Sequence, residues 1–171
     1  MGTSELNMVE PYPFYKTYID LLGDVELLDM LQRQLGNFPE FIESIPDDKW
    51  NHRYAPQKWS VAQVLLHVID TERIFGYRAL RFSRGDTSVL PGFDQDSYVE
   101  ASKAERRSRE SLIEEYRTVR KSTLSLFANL DRDDLEKTGT ASTLQWSVAA
   151  LGFAACGHQK HHRNIIRERY L

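Results

Sequence analysis

The sequence predicts an all-α protein, an up-down four-helix bundle. Two observations carry this. Apolar residues recur at the helical period in four long segments, and the alternating apolar runs that a sheet requires are scarce. Residues 1–17 read as irregular, with Pro11, Pro13 and an aromatic cluster (Tyr12, Phe14, Tyr15, Tyr18) suited to pack as a lid. The first helix is expected over Asp24–Ile45, where Leu27, Leu31, Leu35, Phe38 and Ile42 keep the period. Pro39 is a candidate kink and Pro46 a stop. A polar loop, Asp47–Lys58, follows. The second helix is expected to start at the N-cap Ser60 and end near Arg84, where Gly85 stops it. A short helix is expected over Asp96–Ala101. The third long helix spans Lys103–Asn129, with Leu112, Ile113, Tyr116, Val119 and Phe127 inward, and the fourth runs from Ser147 to Tyr170. The linker Asp131–Leu144 is long for a bundle connection and is expected to hold a small turn or lid. Trp59-Ser60-Val61-Ala62 and Trp146-Ser147-Val148-Ala149 repeat one another at two expected helix starts, which reads as two similar halves.

With 171 residues, the chain is read as one domain, 1–171, large enough for a true core. A hydrophobic fraction of 41%, a charged fraction of 27% and a net charge of −3 are ordinary for a globular protein and argue against nucleic acid as a partner. Arg73, Arg78, Arg81 and Arg84 cluster on the second helix, and Arg106, Arg107 and Arg109 at the third. Both groups read as solvated faces and ion-pair networks. The single cysteine, Cys156, excludes an internal disulfide and fits a reducing, cytoplasmic setting. Its expected role is that of a small buried hydrophobe. No signal peptide is expected, and no stretch reads as a membrane span.

The chemistry-bearing feature is the pair His158 and His162, one turn apart in the apolar stripe of the fourth helix. Buried imidazoles need a polar partner, and two nitrogens at this spacing can reach one metal ion. Core histidines satisfied by hydrogen bonds are the alternative. His67, at the edge of the apolar arc of the second helix, where an isolated histidine is usually partly exposed, lies eight residues after Trp59, and His158 lies twelve after Trp146. Neighbouring helices starting at the same end would bring these rings to about one height and form a three-histidine site with an open position, as catalytic metals have. His161 and His52 are the competing histidines; His161 is expected nearer the polar boundary, and His52 sits in a loop. Asp70, Glu72 and His161 are the candidates for orienting a ligand or accepting a proton. Against this, Asp70 can simply pair with Arg73, and Glu72, projecting into the apolar arc, needs an arginine or an indole N–H. Gly152 and Gly157 are expected to allow close helix contact. No nucleophile elbow, phosphate-binding glycine loop or cysteine–histidine dyad is seen.

The stretch from Tyr54 to Arg73, YAPQKWSVAQVLLHVIDTER, together with Gly157-His158-Gln159-Lys160-His161-His162, resembles the two signatures of the DinB/YfiT-like superfamily. The resemblance is nearest its YfiT-like branch, read as metal-dependent hydrolases. It implies a four-helix bundle holding one divalent metal, usually nickel or zinc, on His67, His158 and His162. It also implies a homodimer, to which Phe75, Tyr77 and Phe82 would add exposed aromatic surface. Relatives differ in activity: some transfer low-molecular-weight thiols such as bacillithiol, some isomerise with mycothiol, and many are called hydrolases. The expected function is therefore a metal-dependent hydrolase or thiol S-transferase acting on a small molecule, with a thiol as a possible co-substrate. The alternative is a non-catalytic metal-binding or stress-response bundle.

Overall fold

The computed structural model describes residues 1–6 and 13–171, the side chains of residues 13 and 14 excepted. The long helices are α2 (Leu27–Glu43), α3 (Val61–Ser83), α5 (Arg109–Phe127) and α7 (Val148–Arg169). The short ones are α1 (Pro13–Asp20), α4 (Gln95–Ser102) and α6 (Arg132–Glu136). Pro39 stays inside α2. Ser60 caps α3 through the Gln63 amide, with Gln63 returning the bond, and Ser147 caps α7 through the Ala150 amide, so the repeated Trp-Ser pairs do mark two helix starts.

Four expectations change. The segment 1–17 is not wholly irregular, because Pro13 opens a helix that carries Tyr15 and Tyr18. Proline suits a first helical position, where no intrahelical N–H is needed. Tyr12 and the Phe14 side chain lie outside the described residues. The third long helix starts at Arg109 rather than Lys103, because Lys103 adopts a left-handed conformation and Ser108 supplies the cap. The linker before α7 holds α6 and a two-stranded antiparallel ribbon, β1 (Thr138–Ala141) and β2 (Leu144–Ser147), turned by Ser142 and Thr143, both at positive φ. In β1, Gly139 lies under the Phe82 ring, where a Cβ would clash. Finally, Phe75 and Phe82 are core residues; of the three aromatics proposed as surface, only Tyr77 is exposed, at 52%. The helix α3 is covered on most of its circumference by α1, α5, α7 and the ribbon, which leaves only a narrow exposed stripe at Arg73, Tyr77 and Leu80.

Pairings fix the helix directions. Gln34 donates to the Cys156 carbonyl and Arg167 lies over Phe41, so α2 and α7 run parallel. Phe38 packs on Tyr116 and Arg109 reaches the Ile45 carbonyl, so α5 is antiparallel to α2. Trp59 meets Tyr170 while Phe75 meets Trp146, so α3 is antiparallel to α7. The chain order is therefore up-down-down-up and not the simple up-down order expected, because residues 84–108 cross back along the bundle and leave α3 and α5 parallel. Gly152 admits Leu27 and Phe127, and Gly157 admits the Tyr18 backbone, the close approaches expected of both glycines.

The core falls into two apolar clusters, one built on Leu27, Leu31, Phe75, Phe82, Phe127, Leu151 and Phe153, the other on Phe38, Ile42, Leu65, Ile69, Leu112, Tyr116 and Ile166. Between them runs a buried polar layer to which every long helix contributes: Gln34, His67 with Glu72, Arg120, and His158 with Gln159. Among the described residues, no helix is long and apolar enough to cross a membrane.

Candidate metal centre

His67 stands in the second turn of α3, and His158 and His162 one turn apart on α7. The helices meet from opposite ends, not from the same end as the sequence spacing suggests. The heights still match. His67 lies eight residues beyond Trp59 and His162 eight before Tyr170, and the Tyr170 hydroxyl donates to the Trp59 carbonyl at 2.8 Å. Fixing that pair therefore levels the histidines.

The His158 Nε2 lies 3.1 Å from His67 Nε2 and 3.0 Å from His162 Nε2. A neutral imidazole carries a single N–H, so His158 Nε2 cannot donate to both neighbours. Burial holds His67 down at about 4, and burial first, then the neighbouring rings, holds His158 and His162 well below the usual histidine range. Three neutral nitrogens aimed at one point lack a common donor, and a cation satisfies all three. Nitrogens on a tetrahedral ion with bonds of about 2.0–2.1 Å stand roughly 3.3 Å apart. The observed spacings are close to that, and all three donor atoms lie within 4.8 Å of one another. The donor set thus fits a divalent metal of the kind that takes imidazole.

The surroundings orient the rings. Thr71 Oγ1 sits 3.5 Å from His67 Nδ1, a long contact, and the Trp59 ring packs 4.8 Å from His67. Tyr18 and Phe75 set their rings against His158 at 5.5 and 6.3 Å. The Nδ1 of His162 has no partner among the described residues. Beyond His162 opens a cavity of about 320 Å³, lined by Tyr54, Trp59, Asp96, His161, His162 and Tyr170 among others.

The other candidates are placed differently. Glu72 is 2% exposed and grips Arg120 through both carboxylate oxygens, at 2.7 and 2.8 Å. This is the arginine pairing that its place in the apolar arc requires. Asp70 is bonded to Arg73 at the half-exposed surface, and its carboxyl is raised chiefly by burial. Neither belongs to the three-histidine set. His161 packs on Tyr18 at 4.9 Å and lines the cavity beside His162. His52 is exposed and faces Tyr170 at 6.3 Å, away from the cluster. Cys156 is fully buried, its thiol pushed up to about 12 by burial. Asp96, which accepts from the Trp59 indole at 3.1 Å, escaped the sequence reading. It looks like an ordinary helix-start acid, and only the tertiary contact brings it to the cleft.

A polar three-histidine layer inside a helical bundle defines a class, and comparison with known proteins agrees. The DinB superfamily model matches residues 30–166, and the chain belongs to that superfamily. Among solved structures it is similar to YfiT from Bacillus subtilis, with a TM-score of 0.69 at 14% identity, covering 96% of this chain and 90% of that one. That protein is described as a probable metal-dependent hydrolase with an unusual four-helix bundle topology. At this identity the likeness shows the fold. No curated protein matches the chain in sequence.

Proposed function

We propose that this protein is a metal-dependent hydrolase acting on a small molecule, with one divalent cation, nickel or zinc, held by His67, His158 and His162. The observation that carries this reading is the convergence of three neutral imidazoles, two buried and that of His162 half-buried, beside a cavity of about 320 Å³. The name of the YfiT neighbour supports it. When bound, a divalent cation on such a set supplies the Lewis acidity that makes a nucleophile available near neutral pH. The chain's own groups then have distinct tasks. Trp59 and Tyr18 exclude water from the histidines. His161 and Asp96 face the cavity and can accept or return a proton at their free ring nitrogen or carboxylate oxygen. Asp70 and Glu72, the other candidates from the sequence, act at most by shaping α3.

The same open cavity admits a low-molecular-weight thiol, so S-transfer is the second reading, supported by the family resemblance. A homodimer in the cytoplasm is the assembly and setting the resemblance and the single cysteine suggest. The test is metal analysis and zinc and nickel titration of untagged protein, followed by hydrolase and thiol-conjugation panels on the loaded form. Stoichiometric metal with chelator-sensitive hydrolysis is expected. Full metal-free activity, or no metal uptake by the wild type, overturns the proposal.

A further inference from the structure

Among the described residues, three charged side chains are buried: Glu72, Arg120 and Arg78. Glu72 and Arg120 neutralise each other. Arg78, 3% exposed, has no carboxylate partner among the described residues, contrary to the solvated face expected from the arginine cluster on α3. Its Nη2 donates to the Pro91 carbonyl at 3.0 Å and to Ser142 Oγ at 2.8 Å. A guanidinium carries five N–H donors, and these two bonds occupy Nη2 alone. Buried arginines are rarely unpaired, because the charge is costly to desolvate. The Ser142 that meets it belongs to the two-residue turn of the ribbon, at φ 52° beside Thr143 at φ 66°.

Arg78 also lies on the stripe of the metal centre. His67, Thr71, Phe75, Arg78 and Phe82 follow the helical repeat along one face of α3. Phe75 stands between the two, packed on His158 at 6.3 Å, on Tyr15 at 6.2 Å and on Trp146 at 5.8 Å. His67 and Arg78 are about 16 Å apart along the axis, and the arginine side chain leans back toward the histidines. We propose that Arg78 is an anion-binding residue at the far end of this stripe, taking the carboxylate, phosphate or sulfonate end of a substrate whose aryl or apolar middle passes the Phe75 ring and whose reacting group lies at the histidines. The substrate class is thus an elongated organic anion. This rests on the hydrolase reading for the reacting end, but the anion site itself stands apart from the metal.

The probe is benzenesulfonate, a weak metal ligand, titrated calorimetrically into zinc-loaded and zinc-free protein. Binding is expected in both, weaker by at least about tenfold in Arg78→Met and less so in Arg78→Lys. The neutral benzenesulfonamide, which can ligate zinc through its nitrogen, is compared on zinc-free protein and should bind wild type there at least about tenfold more weakly, a comparison that does not depend on the variant folding. Ligand-free Arg78→Met should melt at or above the wild-type temperature, since an uncompensated cation has been removed. No benzenesulfonate binding by wild type, equal binding of the sulfonamide, or undiminished binding by Arg78→Met overturns the proposal. A lower melting temperature with unchanged affinity makes Arg78 a clamp on the ribbon turn and does the same. If zinc fails to bind while the sulfonate contrast holds, the hydrolase reading falls and the anion site stands.

Discussion

The polar layer across this bundle has two regions of opposite character. On the α5 side, Arg120 is fully buried, bound by both oxygens of Glu72 and by Gln34 Oε1 at 2.7 Å, while Gln34 passes its own amide to the Cys156 carbonyl. Charge and hydrogen bonds close on themselves. On the α7 side, three imidazoles face one another with no carboxylate in the set and a nitrogen of His162 unpartnered. One region is complete as built and the other has room for a guest. Native interiors tolerate the second only where something else completes it, since unsatisfied buried groups are costly.

The sharpest way to break this contrast is Glu72→Ala. It leaves the Arg120 charge buried and unpaired and should cost about 3–5 kcal/mol in urea unfolding, while Glu72→Met with Arg120→Met together should recover most of it. Should Glu72→Ala prove neutral, the closed region is not the structural one. His158→Ala comes next. It should weaken zinc binding by more than the roughly 10–100-fold typical of losing an outer partner, with the helical circular dichroism unchanged. Third is pH. The metal-free protein holds His67 at about 4, against an unfolded value of about 6.5. The depressed value means stability is fully present above about 6.5 and declines as pH falls toward 4. Melting curves across this range should show the decline, and bound zinc should compete with protons over the same window. Smallest is Thr71→Val. Because its contact to His67 is long, zinc affinity should change by less than about tenfold. A larger loss would show that the open region is braced almost as firmly as the closed one.

Much of this could be read from the residues. The stripe positions of His158 and His162 follow from periodicity alone, as does the need of Glu72 for an arginine or an indole N–H, whereas His67 stands by that measure at the edge of its arc and is buried only by the tertiary packing. Periodicity gives the face of a helix and not its direction, so the antiparallel meeting of α3 and α7 was not legible, nor that Arg120 is the arginine. Arg78 looked solvated because its neighbours Arg81 and Arg84 are surface residues and its acceptors, Pro91 and Ser142, are distant in sequence. The ribbon was invisible because β1, Thr-Gly-Thr-Ala, has no apolar alternation and β2, Leu-Gln-Trp-Ser, alternates over only four residues, and Gly139 is explained only by the Phe82 ring above it. Phe75 and Phe82 were misread as surface for a related reason: the exposed stripe of α3, at Arg73, Tyr77 and Leu80, is narrow and partly apolar, so it marks the outer face weakly.

The up-down-down-up order has a further consequence. His67 and His158 are 91 residues apart, so an ion gripped by the three histidines ties the first half of the chain to the last. It acts as a removable cross-link around a long loop, and for a loop near that length the chain-entropy model gives a covalent tie about 4–5 kcal/mol. The crossing segment, residues 84–108, lies inside that loop. A single cut there would leave two pieces, one bearing His67 and the other His158 and His162, with the ion as a bond between them.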